Sequence, residues 1–222
     1  MCLYPKLIPN PKYKTSKKRG YYKPSPHDAR LNYVPVACGK CYECRKKKAR
    51  EWRIRLAEEI RHEKSYFVTL TIDDENLNAL REELGEKSVK GNENSIATLA
   101  LRKFLERCRK KTGKSLRHWC VTELGEDNGR IHLHGIFFGD KAAELVIEKW
   151  KYGYVFIGTF VNEKTINYIS KYMLKDDLNN REFTGKVLTS AGMGKKYFER
   201  GDWKFNRYNG KNTREYYVFK NG

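Results

Sequence analysis

The amino-acid sequence predicts an α+β fold in which an antiparallel sheet of four to five strands carries helices on one face. Three observations support this prediction. Between residues 66 and 161, runs of β-branched and aromatic residues alternate with helical patterns in the order strand, helix, strand, strand, helix, strand. A turn sequence joins the second and third strands directly. The chain, at 222 residues, is also long enough to bury a hydrophobic core.

The first helix and the first core strand come early in the chain. Apolar residues recur every three or four positions over residues 45–64, which predicts a helix. The N-terminal half of this helix is basic, and positive charge there opposes the helix dipole. We therefore expect its start to face phosphate, with a solvated helix surface as the alternative. YFVTLTI, at residues 66–72, has the β-branched and aromatic content of a strand.

The later elements follow from the same two periodicities. A polar stretch rich in Asp, Glu and Asn after residue 72 is assigned no element. Asp127, Asn128 and Gly129 have turn chemistry and predict a hairpin between the strands on either side. The remaining predictions are a helix at 95–111, strands at 116–124 and 130–138, a helix at 140–150, a strand at 152–161 and a helix at 164–175.

This order of elements is that of the split βαβ, or ferredoxin-like, arrangement. Its first and third strands lie in the middle of the sheet, so residues 66–72 and 130–138 should be neighbours. The face without helices would then be open to a ligand.

Charge divides the chain into three predicted regions. Lys and Arg number 46 against 27 Asp and Glu, a net charge of +19, and the first 50 residues alone contain 14 basic and 2 acidic residues and all six prolines. We predict a basic, Pro- and Tyr-rich arm at 1–44, a core at 45–175, and a basic, aromatic extension packed on the core at 176–222.

The arm is expected to be extended and irregular. Its basic and aromatic side chains suit single-stranded nucleic acid, through counterion release and base stacking. A solubilising tail is the alternative. A membrane partner is not expected, because the sequence contains no apolar run of about eighteen residues and no signal-peptide pattern.

Two histidines on a predicted strand form a candidate metal site. His132 and His134 are two residues apart, so their side chains point to the same face of the sheet. Imidazole is the commonest metal ligand, and Glu123, at the end of the neighbouring hairpin strand, is the expected third ligand. The alternative is a pair of histidines that are only hydrogen-bonded or solvent-facing.

Two tyrosines on the last predicted helix are candidate nucleophiles. Tyr168 and Tyr172 are four residues apart and share a helix face, and each is followed three residues later by a lysine, Lys171 or Lys175. A neighbouring ammonium group favours the phenolate and can hold the phosphate that it attacks. Simple packing of the two rings between helix and sheet is the alternative.

Together these residues resemble the HUH endonucleases, which initiate rolling-circle replication. FVTLTID at 67–73, IHLHGI at 131–136 and YISKYMLK at 168–175 resemble the three motifs of that family, in family order. With CGKCYECRKKKAREW and the opening MCLYPK, the sequence most resembles replication initiators of small single-stranded-DNA bacterial viruses, the microviruses of gokushovirus type. The resemblance implies the HUH endonuclease fold.

The resemblance also implies an activity. A Mg²⁺ or Mn²⁺ ion on His132, His134 and Glu123 would assist tyrosine attack on origin DNA, leaving a 5′-phosphotyrosine and a free 3′-hydroxyl, and the strand would later be rejoined. The cytoplasm of a bacterial host is the expected location. A host helicase and polymerase are expected partners, since the chain contains no P-loop sequence. The expected DNA contacts are Arg45, Lys46, Lys47, Lys48, Arg50, Thr69 and Thr71.

The cysteines give a separate prediction. Cys38, Cys41 and Cys44 lie within seven residues, and Cys2 is the candidate fourth ligand of a structural Zn²⁺ site. His27 or His62 is an alternative fourth ligand, and free thiols are the alternative to a metal site.

Two other classes of protein remain in view. A non-catalytic protein that binds single-stranded nucleic acid would account for the charge and the rings, but not for the histidine and tyrosine pairs. A zinc-dependent regulator would account for the cysteines alone.

Overall fold

The computed structural model describes residues 2–13, 29–85, 93–125, 129–158, 160–175, 183–201 and 203. The chain forms two compact units, residues 1–50 and 51–222, which divide within helix α1 (Tyr42–His62). Several predicted features lie outside the described residues: His27, the turn residues Asp127 and Asn128, much of the Pro- and Tyr-rich arm, and most of the 176–222 extension.

The first unit contains a short two-stranded sheet. Strand β1 (Lys6–Pro9) pairs antiparallel with β2 (Tyr33–Val36). Both strands contain a proline, which this sheet tolerates because each strand has an edge that needs no hydrogen-bond donor. The described part of the arm is therefore more regular than the extended, irregular chain that the sequence predicts.

The second unit is built on the predicted antiparallel sheet. Its strands have the spatial order β6-β3-β5-β4-β7, and every neighbouring pair is antiparallel. The α+β prediction, the hairpin and the central pair of strands are confirmed. The strands are β3 (Ser65–Thr71), β4 (Arg117–Leu124), β5 (Ile131–Phe138), β6 (Val155–Gly158) and β7 (Val187–Thr189).

One helix of the second unit has no counterpart in the sequence predictions. The polar stretch after β3 forms α2, where the Asp73 side chain caps the helix by accepting the backbone N–H of Asn76, and Leu80 is buried. No helix in the described part of the chain is long and apolar enough to cross a membrane. The helices after α1 are α2 (Asp74–Leu84), α3 (Glu93–Thr112), α4 (Ala142–Lys149), α5 (Glu163–Lys171) and α6 (Lys196–Glu199).

Helices contact both faces of the sheet. On one face, apolar residues of β3, β4 and β5 form the core with α2, α3 and α4, and Phe104 of α3 packs edge-on against Phe137 of β5 at 6.0 Å between ring centroids. On the other face, Trp52 of α1 packs against Trp119 of β4 at 5.8 Å, and Tyr168 of α5 packs against Phe67 of β3. The sequence predicts helices on one face only. Because α5 has an apolar side that includes Ile166 and a polar side, it covers part of the second face.

Gly135 allows β4 and β5 to approach closely beside His134. A Cβ atom at this position would lie 2.5 Å from the Cys120 sulfur and 2.6 Å from the Trp119 carbonyl oxygen. Real Cβ atoms do not approach other atoms so closely, so a side chain here would push the two strands apart.

We therefore predict that Gly135→Ala lowers the free energy of unfolding by about 1–3 kcal/mol, the usual cost of overpacking a core. Urea denaturation of both proteins would measure the difference. Gly201→Ala is the matched control, because a Cβ atom there meets nothing within 4 Å, and its stability should change by less than about 0.5 kcal/mol. Equal stability of Gly135→Ala and the unsubstituted protein would contradict the steric explanation.

Candidate active site

The strand register places the predicted polar residues in two rows across one face of the sheet. In one row Thr69 of β3 pairs with His134 of β5, and in the other Thr71 pairs with His132, which also pairs with Glu123 of β4. Side chains of directly paired residues lie on the same face. Both histidines therefore point to the face that carries α5.

His134 is held by contacts on three sides. Its Nε2 atom lies 2.6 Å from a carboxylate oxygen of Glu123, and its Nδ1 atom lies 3.1 Å from the hydroxyl of Thr69. The ring of Tyr172 stacks on the imidazole at 4.0 Å between centroids, with 5° between the ring planes. The imidazole is buried, so these contacts fix both its position and its orientation.

Glu123 is a buried carboxylate with two charged or polar partners. One oxygen bonds to His134, and the other accepts a hydrogen bond from the ammonium group of Lys175. Burial by itself would raise the pKa of Glu123, but the hydrogen bonds from His134 and Lys175 outweigh it and hold the pKa below its ordinary value. Glu123 is therefore ionised at neutral pH.

The two tyrosines meet at their hydroxyl groups. The Tyr172 hydroxyl donates to the Tyr168 hydroxyl, with 2.6 Å between the oxygens. The Tyr168 ring is 49% exposed and packs edge-on against Phe67 at 6.0 Å, whereas Tyr172 is half-buried against His134. One oxygen pair is thus presented beside the histidine face, with Tyr168 the more accessible.

The end of α5 differs from the prediction. The sequence predicts a helix that continues to residue 175, but α5 ends at Lys171, and Tyr172 is its C-cap. Beyond it, the N–H groups of Met173 and Leu174 bond to carbonyls three residues earlier, as in a tightened last turn. In this turn the ammonium group of Lys175 contacts Glu123, while Lys171 remains exposed on the helix.

A contact that the sequence did not predict anchors α5. The Nε–H group of Arg53 donates to the hydroxyl of Ser170, which is 1% exposed, at 2.6 Å. Arg53 belongs to the basic half of the first helix, which the sequence predicts to face phosphate. The two residues are 117 positions apart, and only the apolar spacing of the first helix hinted that its later half is buried.

His132 is less closely integrated than His134. The two imidazole centroids are 6.2 Å apart, and burial, with the charge of His134, lowers the pKa of His132. The predicted ligand atoms of His132, His134 and Glu123 do not all lie within 4.8 Å of one another. The structure thus joins His134, Glu123, Lys175 and both tyrosines, with His132 in the next row.

The two predicted DNA-binding threonines bond to the protein itself. Thr69 bonds to His134, and the Thr71 hydroxyl donates to the carbonyl oxygen of Tyr154 at 3.0 Å. The other predicted DNA contacts, between Arg45 and Arg50, lie on the first two turns of α1, in the 1–50 unit. Lys46, Lys47, Lys48 and Arg50 are exposed there.

The four predicted zinc-site cysteines lie together in the 1–50 unit. The sulfur atoms of Cys2, Cys38, Cys41 and Cys44 are all within 4.8 Å of one another, with 3.9 Å between Cys2 and Cys41 and between Cys38 and Cys44. Within the described ranges, this is the only such cluster of three or more metal-ligating side chains. The predicted proximity is confirmed, and the cluster is one that could bind a metal.

The cysteine cluster shows the polar environment of thiolate ligands. The backbone N–H of Cys38 donates to the Cys2 sulfur and that of Cys41 to the Cys38 sulfur, each at 3.3 Å. Backbone hydrogen bonds from Leu3 and Cys44 lower the pKa of Cys41 to about 6. A backbone hydrogen bond at Gly39 lowers the pKa of Cys44, but burial and the neighbouring thiols together raise it to about 12.

Comparison with known proteins connects this site to DNA replication. A family model for the replication-associated protein ORF2 matches residues 65–177, which is half of the chain and includes both histidines and both tyrosines. The "Replication-associated protein ORF4" of Chlamydia phage 1 is 25% identical over 206 residues, covering 78% of this chain. The chain spans about half of that relative, 48% of its length. No solved structure matches.

We predict that His134 of the chelator-treated protein is the tautomer protonated on Nε2. An ionised Glu123 only accepts hydrogen bonds, so the neighbouring Nε2 must carry the proton, and Nδ1 then accepts from Thr69. Long-range ¹H–¹⁵N NMR at a pH where imidazole is neutral would identify the tautomer. Thr69→Val should leave Nε2 protonated and shift the Nδ1 resonance, whereas a proton on Nδ1 in the unsubstituted protein would contradict this hydrogen-bond scheme.

Proposed function

Because the chain belongs to the family of the replication-associated protein ORF2, we propose that it initiates rolling-circle replication by nicking and rejoining single-stranded DNA at a viral origin. The observation that carries this proposal is the 2.6 Å separation of the Tyr168 and Tyr172 oxygens. Two nucleophiles that take turns on one strand must reach the same phosphate. Oxygens this close together satisfy that requirement, and packing alone gives no reason for it.

In the proposed reaction, the Tyr168 oxygen attacks the scissile phosphorus. A bond forms between this oxygen and phosphorus, and the bond from phosphorus to the 3′-oxygen breaks. The strand downstream of the cut is then joined to the tyrosine through its 5′-phosphate, and the leaving 3′-oxygen takes up a proton in place of the one that the phenol loses. Tyr168 is the proposed first nucleophile, because it is the more exposed ring and accepts the hydrogen bond of Tyr172.

The donor set suits a divalent cation at the histidine face. His134 and Glu123 already present a nitrogen and an oxygen 2.6 Å apart, and His132 offers a second imidazole on the same face. Mixed nitrogen and oxygen ligands of this kind bind Mn²⁺ and, with more oxygen or water, Mg²⁺. Such an ion, held by His132, His134 and Glu123, supplies Lewis-acid polarisation of the phosphate.

The surrounding residues position the reacting groups. Thr69 fixes the orientation of His134, and the stacked ring of Tyr172 holds one nucleophile over that imidazole. Arg53 ties α5 to α1 through Ser170, one turn from the tyrosines. Lys171 and Lys175 supply positive charge beside a phosphate at this site, as in the Tyr-x-x-Lys pattern.

The basic surface of the protein provides affinity for DNA. A net charge of +19 favours a polyanion, and the exposed lysines and arginines at the start of α1 suit its phosphates. A host helicase and polymerase are the proposed partners, and the bacterial cytoplasm is the proposed location. A purely DNA-binding role would leave the tyrosine pair and the His134–Glu123 contact without a purpose.

The tyrosine chemistry predicts a graded result for Phe substitutions, which keep the rings and remove the oxygens. Tyr168→Phe and Tyr172→Phe should each still form a covalent adduct with circular viral single-stranded DNA in the presence of Mn²⁺, at unequal rates. Neither should complete strand transfer, because one nucleophile is missing. The double substitution should form no adduct. Denaturing gels of the reaction products would detect the adduct and the closed circle.

Substitution of the histidines separates chemistry from binding in the same assay. His132→Ala with His134→Ala should abolish adduct formation but retain most DNA affinity, which comes from the basic surface. An adduct formed by the double Tyr→Phe protein would contradict the nucleophile assignment. Full cleavage in excess chelator would contradict the requirement for a divalent cation.

We also propose that the cysteine cluster holds a structural Zn²⁺. Four sulfurs around zinc, each at about 2.3 Å in a tetrahedron, lie about 3.8 Å from one another. The two 3.9 Å separations agree with this spacing, and a disulfide would require about 2.05 Å. The ion would join the Cys2 end of the chain to the first turn of α1, within the 1–50 unit.

The purified protein is therefore predicted to contain about one equivalent of tightly bound zinc, as four-ligand structural sites do. Elemental analysis of dialysed protein would measure it. Cys41→Ser should lose the zinc, whereas Cys108→Ala, which alters a buried cysteine outside the cluster, should retain it. Metal-free protein with unchanged thermal stability would show that the cysteines are free thiols.

A further inference from the structure

Two exposed aromatic residues lie at the edge of the sheet near the tyrosine pair. Tyr154 immediately precedes β6 and is 70% exposed, and Phe156 within β6 is 47% exposed. β6 is the outermost strand on this side of the sheet. Neither ring is needed to fill the core, and adjacent exposed aromatic rings indicate a binding surface. We call these two residues the edge aromatics.

The edge aromatics continue the two rows that contain the histidines. Phe156 pairs with Thr69, which pairs with His134. The carbonyl oxygen of Tyr154 accepts hydrogen bonds from the N–H and the hydroxyl of Thr71, at 2.9 and 3.0 Å, and Thr71 pairs with His132. Tyr154 and Phe156 are two residues apart, so both point to the face that carries the candidate active site.

Ring contacts connect the edge to the candidate nucleophile. Phe67 packs edge-on against Phe156, with 6.2 Å between centroids, and against Tyr168, with 6.0 Å. An aromatic series thus runs from the solvent-exposed edge to Tyr168. Beside it, Lys164 and Lys171 are exposed on the same side of α5 as Tyr168. Rings and cations therefore lie side by side along this surface.

We propose that the edge aromatics stack on unpaired bases of the single-stranded DNA next to the scissile phosphate. This inference rests on the proposed function, which puts that phosphate at Tyr168. Every base has a flat π-face, so aromatic side chains bind single strands with little dependence on sequence, while lysines contact the backbone. The continuity of the rings with Tyr168 and the net charge of +19 favour a nucleic-acid strand as the occupant of this surface.

The test compares strands with and without bases. The probes are an oligothymidylate of roughly 12 nucleotides, within the usual range of site sizes, and an abasic strand of the same length. Fluorescence anisotropy without divalent cations gives their dissociation constants. Tyr154→Ala with Phe156→Ala should weaken oligothymidylate binding about tenfold or more and leave abasic-strand binding and the salt dependence unchanged.

Two further variants make the comparison specific. Phe156→Leu keeps apolar packing against Phe67 but removes the ring, so it should also weaken binding to oligothymidylate alone. Phe160→Ala is the matched control and should bind as the unsubstituted protein does. Phe160 is 86% exposed but lies beside residues 60–65, at the opposite end of β3 from the residues that pair with the histidines.

The outcomes separate this inference from the proposed function. Unchanged oligothymidylate binding by the double variant, or an equal loss on the abasic strand, would overturn base stacking at this edge. A protein surface would be the remaining explanation for the exposed rings. Failure of the unsubstituted protein to form an adduct would contradict the proposed nicking activity, whereas the cation-free affinities would still decide whether the edge aromatics bind bases.

Discussion

The register of β5 between β3 and β4 is the constraint on which the candidate site depends. It sets His134 against Thr69 and His132 against Glu123, so that residues from three strands meet on one face. The side-chain alternation of a strand allows no intermediate position, and a slip of one residue would turn both imidazoles into the core. Leu133 and Phe137, which point the other way, are fully buried and oppose such a slip.

Much of the sheet followed from local sequence patterns. The alternation in RIHLHGIFF and the turn before it were sufficient to predict the hairpin, and the strand, helix, strand order predicted which strands are central. Helix α2 was missed because its polar composition outweighed weaker signals, the capping residue Asp73 and the spaced leucines Leu77, Leu80 and Leu84. The end of α5 was missed because Lys171 and Lys175 fit a continuous helix equally well in sequence.

The candidate site was predictable only where its chemistry is local. Residue spacing placed the two histidines on one face and the two tyrosines on another element, and thiol chemistry grouped Cys2 with a cluster 36 residues away, a proximity that the structure confirms. The contact between Arg53 and Ser170 joins helices that are distant in sequence. No periodicity encodes which residues of two such helices touch, since that depends on how both pack on the sheet.

The Lys175–Glu123 ion pair has a consequence for how readily the site accepts a metal. Glu123 is a buried carboxylate whose charge is already balanced by an ammonium group. Loading with a divalent cation is therefore an exchange of one positive partner for another rather than the filling of an uncompensated negative site, which lowers the net gain and favours reversible occupancy. Lys175, displaced from the carboxylate, is then left within reach of an incoming phosphate, so loading and substrate capture are linked through one side chain.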